Sequence, residues 1–150
     1  MISVSSKWRS RFIRYAPLLL WMVIIFLLSS NLGSMSNTSR FIRPLLEFLF
    51  PNASEETLQL YHGYIRKFAH IIEYAILAVL ASRAFILSSL NLIRKYWFAV
   101  AFILVVIVAI ADEINQSFIT SRTSSPKDVF IDCVGGLVAI LVFYILKNRS

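Results

Sequence analysis

Four apolar stretches, at about residues 15–32, 67–87, 96–118 and 128–146, dominate this chain of 150 residues. Each is close to the ~20 residues that a helix needs to cross a hydrocarbon core. The alternating apolar and polar pattern of barrel strands is absent, and a lipid-embedded backbone must satisfy its own hydrogen bonds, so helices are the remaining solution. Composition agrees: 58% of residues are hydrophobic and 15% charged, too apolar a mixture for a soluble domain to cover with polar surface. The expected fold is therefore all-α, a polytopic membrane helical bundle of about four transmembrane helices. Residues 1–150 are enough for one domain.

The net charge of +7 does not mark a nucleic-acid surface, because the basic residues flank the apolar runs instead of forming a stripe. Nine of the fifteen fall in segments that four spans would place on one side of the bilayer. They are Lys7, Arg9, Arg11 and Arg14 before the first run, Arg83, Arg94 and Lys95 between the second and third, and Lys147 and Arg149 after the fourth. No acid accompanies them. The positive-inside rule puts that side, and both termini, in the cytoplasm. The basic start also fits a signal peptide, but Ser29-Ser30-Asn31 is a poor cleavage site, which favours an uncleaved span. Cys133, the single cysteine, excludes an intramolecular disulfide and reads as a small packing residue.

Residues 41–64 lie on the outer side. Residues 34–39 are polar and read as a loop. Residues 41–50 mix large apolar side chains with Arg43 and Glu47 and are too short to span, which suits a helix or hairpin in the outer interface. Pro51 ends it, and Asn52 with Glu55 resembles a capping box opening a further helix over residues 55–64. His62, Glu47, Glu55 and Glu56 read as solvated surface. Tyr96 and Trp97 read as interfacial anchors of the third span.

The remaining ionisable residues are in unexpected places. Lys67, His70 and Glu73 recur every third residue along one face at the outer end of the second span. Asp112, Glu113 and Gln116 close the third span, and Asp128 and Asp132 open the fourth, with Arg122 in the loop between. Three helices thus carry polar groups to one depth. An ionisable group at the bilayer centre costs about 2.5–3.5 kcal/mol, so these groups should face one another around a pocket open to the outer surface. Gly135 and Gly136, one turn below Asp132, would let a neighbouring helix come close.

The run Arg66-Lys67-Phe68-Ala69-His70-Ile71-Ile72-Glu73-Tyr74 resembles the RKxxHxxEY signature of the VanZ-like family. Asp112-Glu113-Ile114-Asn115-Gln116, then Arg122, Asp128, Asp132 and Gly135-Gly136, is similar to that family's DExxQ…R…D…D…GG pattern, and Ser29-Ser30 to its less specific serine pair. Thr123-Ser124-Ser125, where a glycine is common, and Cys133 are departures. The resemblance implies a multi-pass bacterial membrane protein of the cell envelope, in a family named after a member associated with resistance to the glycopeptide teicoplanin. It supplies no mechanism.

Three functions remain open from the residues. In the first, an outer-leaflet pocket binds or modifies a lipid-linked or cell-wall substrate. His70, Glu73, Asp112, Glu113 and Asp132 are its candidate catalytic groups, with His70 as general base and Glu73 orienting it. Lys67, Gln116, Arg122 and Asp128 are its candidate substrate-binding groups, the cations gripping phosphate or carboxylate. A divalent metal on His70, Glu73, Asp112 and Asp132 is a variant, with a hard cation or zinc suited to the donors. The second is a small carrier of flippase type, the third a non-catalytic envelope protein whose polar cluster fixes helix packing. Oligomeric state is not legible.

Overall fold

The computed structural model describes residues 4–119 and 125–149. All its regular elements are helical: α1 (Val4–Ser29), a 3-10 turn (Asn31–Gly33), α2 (Met35–Leu49), α3 (Glu55–Ile86), α4 (Asn91–Lys95), α5 (Trp97–Ser117) and α6 (Pro126–Arg149). Four of them, α1 over Arg11–Ser29 together with α3, α5 and α6, are long and apolar enough to cross a membrane. The expected fold class is met.

The core lies where α1, α3, α5 and α6 meet. Tyr74, Leu77, Ala78, Ala81 and Ala84 of α3 are buried against Ala101, Val105, Val108 and Ala109 of α5, Ile140 of α6 and Leu18 and Ile25 of α1. The many alanines are a physical requirement, since lipid tails give helices no hydrophobic reason to associate and close backbone approach must supply the contact. Ile103, Ile107, Ile110 and Ile114 line the opposite face of α5 and are exposed, an apolar surface that only lipid can solvate.

Glycines set the spacing of α6. A Cβ on Gly135 would stand 2.8 Å from the carbonyl oxygen of Ile71 in α3, and one on Gly136 would stand 2.7 Å from Val105 in α5. Both helices therefore close on α6 one turn from Asp132. On the other flank, the indole N–H of Trp21 in α1 donates to the carbonyl of Glu73 at 2.9 Å.

Several local expectations change. The polar run 34–39 is not a loop: Ser34 caps α2, its side chain accepting from the backbone N–H of Asn37, so the polar residues form the first helical turn. Ser34 belongs to the residue types that serve best in that position. The cap of α3 is Ser54, accepting from Thr57 N–H, and not Asn52. From there α3 continues unbroken for 32 residues, where two helices were expected. Between Glu55 and Lys67 the weakest helix former is Gly63, at a cost of about 1 kcal/mol, which the rest of the helix outweighs. At 1.5 Å per residue α3 is about 48 Å long, well beyond a ~30 Å hydrocarbon core.

The projecting turns of α3 carry α2. His62, expected on the surface, is only 4% exposed, with its Nε2 3.0 Å from Thr38 Oγ1 and its Nδ1 3.5 Å from Ser39 Oγ. Two hydroxyls on α2 satisfy the ring, and that makes its burial tolerable. Glu47 and Glu55 are exposed as expected, and both pair with Arg43 at 2.7 Å, joining α2 to the start of α3. Their charge, led by the Glu47 hydrogen bond, raises the Arg43 guanidinium above its ordinary pKa. Phe41, Leu45, Phe48 and Leu49 form the other face of α2 and are exposed. Trp97, at the start of α5, is buried against Phe143, at 5.8 Å between rings, while its neighbour Tyr96 is exposed.

Candidate functional site: a histidine and two aspartates between three helices

The core-facing stripe of α5 runs through Trp97, Ala101, Val105, Val108, Ala109, Asp112 and Gln116, all buried. These positions recur at helical spacing, so the last two turns of the apolar stripe are made of an acid and an amide. The stripe of α6 is Asp132, Gly135, Gly136 and Ile140, again beginning with an acid. On α3, His70 lies one turn before the fully buried Tyr74. Helix packing thus brings His70, Asp112 and Asp132 together at the end of the bundle where α2 lies.

Asp112 is 1% exposed and Asp132 2%. The Tyr74 hydroxyl donates to Asp112 Oδ2 at 3.2 Å, and the Gln116 amide donates to the same oxygen at 3.1 Å. His70 Nδ1 stands 3.5 Å from Asp132 Oδ1, within ion-pair reach but without hydrogen-bond geometry. One ligand-type atom from each of His70, Asp112 and Asp132 lies within 4.8 Å of the others, a group that does not include Glu73.

A cleft of about 220 Å³ opens beside this cluster, lined by Arg66, Lys67, His70, Asp128, Ile131 and Asp132 among others. Two cations from α3 and two carboxylates from α6 therefore line the same cleft. Glu73 is half-buried and lines a separate, smaller recess on the other side of His70, together with Leu28, Thr38 and Ile42.

The other expected site residues fall in distinct places. Lys67 is exposed and Asp128 half-buried, both on the cleft. Gln116 is buried one turn beyond Asp112, towards the end of α5, a positioning group and not part of the cleft lining. Glu113 points to the chain entering α6, its carboxylate accepting a hydrogen bond from the Ser125 N–H. Arg122 lies outside the described residues. Tyr74 was not among the expected site residues, although its position four after His70 on a helix put it on the same face.

The arrangement can hold an imidazole next to a buried carboxylate, keep a second carboxylate oriented from behind, and present cations at the mouth. That is the equipment for proton transfer or for ion binding next to an anionic ligand. No curated protein and no solved structure matches the chain. The model of the VanZ/LLP1 family matches residues 12–147, from the first span into the last turn of α6. The chain belongs to the VanZ/LLP1 family.

Proposed function

We propose that this protein works in the bacterial cytoplasmic membrane, with both termini in the cytoplasm, and that its cleft binds or modifies a lipid-linked or cell-wall precursor at the outer leaflet. One observation carries the reading: Arg66 and Lys67 share an open cleft with His70 and Asp132, at the end of the bundle where α2 exposes an apolar face. The cations suit a phosphate or carboxylate head group. The lipid-exposed helices suit its hydrocarbon, and α2 lying in the interface would hold the entrance at head-group depth. His70 beside Asp132 would then be placed for proton transfer at the head group. An association with glycopeptide resistance would follow from action on the same envelope precursors.

A polyprenyl phosphate is the direct probe. In nanodiscs, the double variant Arg66→Ala with Lys67→Ala should bind it at least about tenfold more weakly, equivalent to about 1.4 kcal/mol. Arg43→Ala, on α2 and away from the cleft, should leave binding unchanged. Native mass spectrometry reads the bound lipid. Equal binding of the phosphate-free polyprenol, or wild-type affinity in the double variant, would refute the reading.

A further inference from the structure

Among the described residues, three buried atoms of this cluster have no hydrogen-bond partner: His70 Nδ1, Asp112 Oδ1 and Asp132 Oδ1. Leaving a buried polar atom unsatisfied costs about 1–3 kcal/mol, and more for a charged group. All three belong to the residues whose ligand-type atoms converge within 4.8 Å, and all are types that bind metal through a lone pair. Two carboxyl groups that approach each other while 1% and 2% exposed are relieved in a low-dielectric surrounding by a proton or by a positive counter-charge, and a divalent cation is the counter-charge that would also occupy their free oxygens.

We propose that His70, Asp112 and Asp132 bind a divalent cation of the zinc class. The 3.5 Å between His70 Nδ1 and Asp132 Oδ1 is long for a hydrogen bond. It is close to the edge of about 3.3 Å expected between two ligands on a tetrahedral centre with bonds of about 2.0–2.1 Å. Asp112 has the form of a ligand held from behind, because Tyr74 and Gln116 both donate to its Oδ2. Such outer hydrogen bonds orient metal-binding carboxylates. One nitrogen and two oxygens favour zinc over magnesium or calcium, which take oxygen almost alone. Three protein ligands leave a fourth position for water or a ligand oxygen, and both His70 and Asp132 line the cleft. The second and third spans contribute one ligand each and the fourth another, so the ion also ties three helices together.

The test needs no lipid, which keeps it separate from the head-group reading. Protein purified in detergent, stripped with a chelator and titrated with zinc, then cobalt, should take up one ion per chain. X-ray absorption at the zinc edge should show a first shell of nitrogen and oxygen with a single imidazole. His70→Gln and Asp132→Asn should each weaken zinc binding at least tenfold, whereas Glu73→Gln and Glu113→Gln, which alter nearby carboxylates outside the group of three, should keep it. If a ligand variant fails to fold, the wild-type absorption spectrum still decides. No stoichiometric uptake, a sulfur neighbour from Cys133, two or more imidazoles, or loss of the ion in the Glu73 and Glu113 variants in place of the ligand variants would each overturn the assignment.

Discussion

Asp112 shows how one residue acquires its setting from its neighbours. Its carboxylate is buried in the apolar stripe of α5, where it is tolerable because Tyr74 and Gln116 donate to one of its oxygens. Removing the phenol hydroxyl leaves that buried oxygen with one donor fewer at almost unchanged volume. Tyr74→Phe should therefore lower stability by about 1–3 kcal/mol, seen as a fall in the thermal midpoint in detergent. A midpoint equal to that of wild type would mean that the hydrogen bond contributes nothing net. His62 makes the complementary point. On sequence grounds it resembled any surface histidine, yet two hydroxyls from α2 enclose it. Nothing in the spacing of residues 34–62 announces that contact, because it depends on how the chain turns at Pro51.

At the scale of the element, α6 is decided by its glycines. Gly135 faces the backbone of Ile71, the residue after His70, so a methyl group there meets atoms that cannot rotate away. Gly135→Ala should push α6 from α3, separate Asp132 from His70 and cost about 1–3 kcal/mol. Gly136→Ala meets the branched side chain of Val105, whose Cγ1, Cγ2 and Cβ would stand 2.7, 3.1 and 3.4 Å away, and a χ1-stiff valine cannot turn both methyls aside, so it should also destabilise by about 1–3 kcal/mol. Gly63 has nothing within 4 Å, so Gly63→Ala should be neutral or stabilising by up to about 1 kcal/mol through helix propensity. Thermal unfolding of the three variants orders these effects, and equal midpoints for Gly135→Ala and Gly63→Ala would contradict the close approach. The same close approach was expected from the glycine pair alone, since small residues are what helix contact in lipid demands.

For the whole molecule, the division is between a lipid-facing belt and one polar end. The exposed isoleucines of α5 and the exposed apolar face of α2 suit a surface completed by lipid. Orientation rests on the distribution of basic residues and is open to a direct measurement. In a Cys133→Ser background, a cysteine introduced at Asn52 should react with a membrane-impermeant maleimide in intact spheroplasts. One at Asn148 should react only after lysis. The reverse pattern would invert the topology and with it the side on which the cleft opens.

Hydrophobic length alone determined the helical class and the four candidate spans, because a backbone in hydrocarbon has so few ways to satisfy itself. Spacing along each helix was enough to put Asp112 with Gln116, and His70 with Lys67 and Glu73, on shared faces. What spacing could not decide was which side of His70 faces which neighbour. Packing turned His70 towards Asp132 and left Glu73 on another recess, directed Glu113 to Ser125, and brought Tyr74 to Asp112. It also joined the expected outer helix and the second span into one rod that carries α2. Polar groups gathered at one depth were legible because each helix records its own period. Their meeting at a single point was not, because that depends on the rotation of three helices about their axes, set by alanine and glycine contacts elsewhere in the bundle.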